Sequence, residues 1–239
     1  MIGGGGPHIF NKIFMQLALD HKSLGPRLVL ASNPTELMYG NEFDGILGGD
    51  ITDDFDEEFD PTAMRINFFM RKHCPGQVVY WANEYSTIPY KISAERQWIE
   101  FPIKVNGTAL RGMLDTGDSH TSMRWQTASD RFGLTTTSPG VYGLPTTTLT
   151  SDGSKLPTAQ YSFDTIELGD LKIHHATVNL LPQYSQDILS DLFGTEDWGP
   201  QIILGMDVLR QLRFYISRND RAIYFTVPPP PAPAPGKPS

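Results

Sequence analysis

The sequence predicts a mainly β protein, and three observations carry that prediction. Apolar and polar residues alternate: Ile99, Phe101, Ile103 and Val105 share one face of a strand, with Glu100 and Lys104 on the other. Among 239 residues, 22 glycines and 19 prolines punctuate the chain, which suits many short strands joined by turns. Where strands must reverse, two-residue turns stand ready, as at Asn106-Gly107, where both positions tolerate positive φ.

Composition bounds the function. Hydrophobic residues make up 39%, enough for a sizeable core. A net charge of −8 excludes the basic footprint of a nucleic-acid binder and offers nothing to an anionic membrane. Cys74 is the single cysteine, so neither an intrachain disulfide nor a cysteine-based zinc site is possible. No apolar run is long enough to span a bilayer. The opening residues, Met-Ile-Gly-Gly-Gly-Gly-Pro, lack the charged and apolar regions of a signal peptide. The compartment stays open.

In chain order, a glycine-rich start leads to strands at Lys12–Leu19 and Arg27–Ala31. Phe43–Ile51 runs an apolar pair into glycines, and residues 52–60 read as an acidic, solvated loop. That loop lacks the central glycine and the spacing of a calcium site. Met64, Ile66 and Phe68 mark a half-buried strand, Cys74–Gln77 a turn, and Val78–Trp81 another strand. Residues 1–81 form a first unit, 82–96 a linker, 97–227 a second unit, and 228–239 a proline-rich disordered tail. In the second unit, Thr108–Leu114 returns from the Asn106-Gly107 turn. Trp125, Ala128, Ser129 and Phe132 lie at helical spacing, with Gly133 as C-cap. Val141 to Lys155 reads as a mobile hairpin and Thr165–Ile173 as a second hairpin; Val178 and Leu180 continue a strand. After a polar loop at 183–199, Ile202–Leu212 passes from buried strand to short helix. Phe214–Ile216 and Ala222–Thr226 flank a polar turn.

The two units share a pattern. Ile46-Leu-Gly-Gly-Asp-Ile51 matches Ile203-Leu-Gly-Met-Asp-Val208, and each leads to a strand, a polar turn and an aromatic-rich strand, taken as Val78–Trp81 in the first unit. The first unit is short before its Ile-Leu-Gly, so it reads as a partial repeat without a counterpart to Asp115. Asp50 and Asp207 read as helix caps or solvated residues.

Chemistry centres on Arg111–Met123, where an apolar strand delivers Asp115 onto a turn of Thr116, Gly117 and Asp118, followed by a hydroxyl at Thr121. Together with Ile203-Leu-Gly-Met-Asp-Val-Leu209 and the hairpin at Leu168-Gly169, this resembles the retropepsin-like aspartic proteases over residues 97–227. The resemblance implies a closed β-barrel or sandwich with a ψ-loop, in which the Ile-Leu-Gly strand threads the Asp-Thr-Gly turn. It further implies an aspartic endopeptidase with Asp115 as catalyst, Thr116 and Gly117 bracing it, and no metal or other cofactor. Asp118 and the residues Val141, Tyr142 and Gly143 of a flap at 139–156 would meet a polypeptide substrate. The second aspartate would come from another copy in a homodimer, from an intrachain pseudo-dimer or from sequence outside this chain. Asp118 departs from the small apolar residue the family usually carries there. A non-catalytic peptide-binding or structural module therefore stands as the alternative.

Overall fold

The structure is a computed structural model and describes residues 11–31, 47–93, 98–149, 155–181 and 199–227. The chain divides into two units. The first spans Met1–Leu47 with Thr148–Lys155. Its hairpin joins β1 (Asn11–Leu19) to β2 (Lys22–Ala31), with Asp20 at φ 50° in the turn. Aspartate tolerates that left-handed conformation better than most residues. β2 begins five residues before the expected strand at Arg27.

The second unit, Gly48–Thr147 with Leu156–Ser239, carries most of the strands. Its front part holds α1 (Gly49–Thr52), β3 (Asp56–Asp60), β4 (Arg65–Phe69), β5 (Ser86–Pro89) and β6 (Lys91–Ile92). Next come β7 (Ile99–Val105), β8 (Thr108–Leu114), β9 (Ser122–Arg124), α2 (Trp125–Phe132), β10 (Tyr142–Leu149), β11 (Lys155–Leu168) and β12 (Leu171–Leu181). It finishes with β13 (Ile202–Leu204), α3 (Met206–Leu209), β14 (Arg213–Ser217) and β15 (Ala222–Thr226).

Eight strands run in the order β10-β11-β12-β9-β13-β8-β7-β6. β11 also pairs with β7, at Ile166↔Val105 and Glu167↔Lys104. That contact closes β7, β8, β13, β9, β12 and β11 into a six-stranded barrel, so these strands have no free edge. The fold is thus mainly β and of the retropepsin-like kind expected. Val105, Met123, Ile166, Val178, Leu180, Ile202 and Leu204 are wholly buried inside. Burying such side chains contributes roughly 2 kcal/mol apiece. The Asn106-Gly107 turn has φ of 46° and 76°, and Gly133 caps α2 at φ 66°, both as expected. A second sheet runs β4-β3-β14-β15-β5.

Two expectations need correction. Val78–Trp81 is not a strand; it crosses the second sheet, burying Val78 with Tyr215, Ala222 and Tyr224. Trp81 Nε1–H donates to Thr226 Oγ1 at 2.9 Å. Its aromatic and branched residues serve burial rather than a ladder. The acidic stretch is not a solvated loop either. Its second half is β3, whose Asp56 and Glu58 are fully buried and whose Glu57 and Asp60 are nearly so.

These carboxylates are paired. Glu58 takes Arg213 Nε–H at 2.7 Å and the arginine's Nη2 as well, together with Asn67 Nδ2–H at 2.9 Å and the Tyr80 hydroxyl at 2.6 Å. Arg213 Nη1 lies 3.2 Å from Asp60, and the guanidinium stacks 4.6 Å from the Trp81 ring centroid. Asp56 receives the Arg218 backbone N–H at 2.7 Å and the Tyr215 hydroxyl at 3.2 Å, and His73 Nε2 lies 2.6 Å away. The other ring nitrogen of His73 faces the Cys74 carbonyl at 3.1 Å. Both neighbours are acceptors, so the geometry favours the doubly protonated imidazolium. Burial opposes that charge, but the Cys74 and Asp56 contacts prevail and raise the His73 pKa above its ordinary value. Within residues 82–93, β5 pairs with β15 and β6 with β7.

Candidate active site

The candidate site grows from one crossing of strands. β13 lies between β8, which it pairs in parallel at Ile202↔Gly112 to Leu204↔Leu114, and β9, which it pairs antiparallel. β8 and β9 are joined by residues 115–121, so this connection must arch over the end of β13. That is the ψ-loop. Gly112 sits where it does because Phe101 and Ile103 cross behind it; an added Cβ would lie 3.0–3.1 Å from their side chains.

The arch is held from below by the start of α3. The Asp115 backbone N–H donates to the Leu204 carbonyl at 3.0 Å. Met206 N–H donates to the Asp118 carbonyl at 2.8 Å and Asp207 N–H to the Ser119 carbonyl at 3.1 Å. Gly205 N–H donates to Thr121 Oγ1 at 3.1 Å. The Thr121 hydroxyl in turn donates to Asp207 Oδ1 at 2.6 Å, and the Thr121 amide donates to the same oxygen at 2.8 Å. Thr121 is fully buried, which makes this satisfaction necessary. Gly205 is fixed by space, since an added Cβ would sit 2.4 Å from the His120 carbonyl carbon, a backbone atom. This is the physical content of an apolar-apolar-glycine strand downstream of an Asp-Thr-Gly turn.

Above this brace Asp115 is half-buried, while Thr116 and Gly117 are exposed. Gly117 N–H donates to Asp115 Oδ1 at 2.8 Å and fixes the carboxylate's direction. Asp118 is turned into its own loop: its Oδ1 accepts the His120 amide at 3.0 Å. Burial pushes the Asp118 carboxyl above the usual range, the His120 contacts oppose this, and the Asp115 and Asp207 carboxylates add to the rise. Ser119 Oγ and His120 Nδ1 lie 2.8 Å apart on the exposed shoulder.

The turn therefore gathers Asp115, Thr116, Gly117 and Asp118 into one loop. Val141, Tyr142 and Gly143 stand elsewhere, at the start of β10. Val141 is half-buried on the barrel core, whereas Tyr142 is 68% exposed and Gly143 exposed. Of the expected flap, residues 150–154 lie outside the described residues. The role of Asp207 was missed in the sequence. It is neither a free surface residue nor a simple cap, because it ties the far end of the arch to α3. The signal was present in the hydroxyl at Thr121 read together with Asp207.

A family model described as Aspartyl protease matches residues 101–208. Among solved structures, the chain is similar to a retropepsin-like aspartic protease from Rickettsia conorii, at 17% identity and TM-score 0.41, covering 60% of this chain and 96% of that one. It is also similar to the retroviral protease-like domain of Ddi1 from Leishmania major, at 13% identity and TM-score 0.37, covering 55% and 94%. Basic 7S globulin from soybean is similar at 10% identity and TM-score 0.43, covering 85% and 63%. No curated protein matches the sequence. Residues 101–208, which build the ψ-loop barrel, are thus the part of the chain that matches the Aspartyl protease family model.

Proposed function

We propose that the chain acts as an aspartic-type endopeptidase in which Asp115 is one of two paired aspartates. The observation that supports this most is the Asp115 carboxylate itself, aimed by the Gly117 amide on a turn braced by Gly205 and Asp207. Two such carboxylates face to face cannot both ionise cheaply, so they share a proton and titrate as a pair. The ionised oxygen then draws a proton from a bound water, which attacks the peptide carbonyl. The protonated member donates to the developing oxyanion. Thr116 and Gly117 keep the turn in register, and Tyr142, exposed at the start of β10, contacts the substrate. The second aspartate comes from another copy of the chain or from a segment outside it.

One observation favours a second reading. The chain holds a single Asp-Thr-Gly, and the neighbouring Asp118 is shifted toward its neutral form. A module that binds an extended peptide by strand addition without cutting it would need neither a second aspartate nor an ionised one.

A peptide library incubated with the purified chain at acidic and neutral pH separates the two. The protease reading expects cleavage products that vanish in Asp115→Asn while the circular dichroism spectrum is kept. Peptide retention without any product, equal in wild type and Asp115→Asn, would replace it with the binding module.

A further inference from the structure

The turn that presents Asp115 carries a second acid. Asp118 follows it on the same loop, and Asp207 lies at the start of α3, which braces that loop. Asp207 has a structural task, since its Oδ1 accepts the Thr121 hydroxyl, the Thr121 amide and the Val208 amide. Asp118 is engaged within its own loop, where its Oδ1 accepts the His120 amide at 3.0 Å.

The backbone around Asp118 is pinned, so the residue cannot swing away from Asp115. Its carbonyl accepts Met206 N–H at 2.8 Å, and the next carbonyl accepts Asp207 N–H at 3.1 Å. Its own N–H reaches back to the Asp115 carbonyl at 3.4 Å. Behind it the His120 backbone is pressed against Gly205, where an added Cβ would sit 2.4 Å from the His120 carbonyl carbon. Asp118 is half-buried, so water and salt screen its charge incompletely.

Two carboxylates fixed on one tight turn disfavour each other's ionised form. Burial is the larger cause of the raised Asp118 pKa; the His120 amide and imidazole oppose it, and Asp115 and Asp207 add to it. His120 is the one basic residue among residues 115–121, and its Nδ1 is turned to Ser119 Oγ at 2.8 Å. The loop and α3 therefore face Asp118 with two acids against one imidazole. Such coupling is reciprocal, so a charge at position 118 acts back on whatever ionises at position 115.

We infer that Asp118 is a third carboxyl of the site, a positioning residue whose charge holds the shared proton on the Asp115 pair as pH rises toward neutrality. This rests on the paired-aspartate reading. At low pH Asp118 is neutral and leaves the pair alone. At higher pH the doubly ionised pair, which has no proton to donate to the oxyanion, must form beside a third negative charge. It forms at higher pH than it would beside a neutral residue. The singly protonated pair thus persists over a wider range, extended on the alkaline side only.

Asp118→Asn tests this in the full chain, because the amide carbonyl still accepts the His120 N–H while the charge is gone. In the pH profile of kcat/KM for a fluorogenic peptide, the acid limb should stay in place. The alkaline limb should move to lower pH by about half a unit or more. A profile lowered evenly, with both limbs where they were, overturns the inference, because that is what a distorted loop would give. A second measurement needs no cleavage: the Asp118 carboxyl is titrated by NMR in wild type and in Asp115→Asn. Its midpoint should fall when the charge at position 115 is removed, and an unmoved midpoint overturns the inference. A fallen midpoint in a chain that cleaves no peptide at any pH upholds the coupling and counts against the paired-aspartate reading alone.

Discussion

The Asp115 arch and the acidic strand β3 are both places where polar groups go under cover, and they are held in different ways. The arch is satisfied by backbone amides and one hydroxyl–carboxylate contact over an apolar barrel. β3 is satisfied by side-chain charge, with four buried or nearly buried carboxylates facing Arg213, Arg218 and His73. A backbone brace depends on shape, so it fails when an atom is added. A charge network depends on pairing, so it fails when one partner is removed. The site rests on the first kind of support and the second sheet on the second kind.

The largest effect should come from adding an atom to the arch. Gly205→Val drives a Cβ into the His120 backbone and should cost about 4 kcal/mol or more, seen as loss of the cooperative melt. An unchanged melt would contradict the close approach of Gly205 to the arch. Next comes removal of one charge from β3. Glu58→Leu leaves Arg213 with Asp60 alone and should cost about 3 kcal/mol by denaturant unfolding. The double variant Glu58→Leu with Arg213→Met should recover most of it, and failure to recover would assign the loss to packing. Asp207→Ala removes the acceptor of the Thr121 hydroxyl and amide and should cost about 2 kcal/mol.

The smallest effect is the pH dependence, and its sign is fixed. Burial raises the Glu57 carboxyl above its ordinary value, Arg218 only partly offsetting it; Asp118 is raised as well. Groups raised on folding stabilise fully below their unfolded pKa and lose that contribution as pH rises through the folded one. The carboxyls therefore lose theirs above about pH 4, and His73 loses its own above about pH 6.5. Stability should decline from acid toward neutral pH in equilibrium unfolding. His73→Gln should flatten the upper part of the decline and leave the lower part.

The barrel was legible in the sequence because burial there follows the pleat. Ile99 to Val105 alternates, Asn106-Gly107 turns, and Ile202 to Leu204 reads as continuously apolar because it is covered on both faces. Asp115, Thr121 and Gly205 were legible as a motif, since each answers a demand of one crossing. Glu57 and Glu58 were not, because four acidic residues in five look like a solvated run until arginines 155 and 161 positions away are known to face them. Val78–Trp81 misled for the opposite reason: strand-like composition was spent on covering a sheet. Ile46–Ile51 and Ile203–Val208 read alike in the sequence, yet β3 is acidic where β14 is aromatic.

The most direct test of Asp115 as one half of a shared-proton pair is peptide cleavage by the full chain, compared between wild type and Asp115→Asn. A loss of about a thousandfold or more in kcat/KM, with the circular dichroism spectrum unchanged, is the predicted result. Cleavage at the wild-type rate by Asp115→Asn would contradict the account.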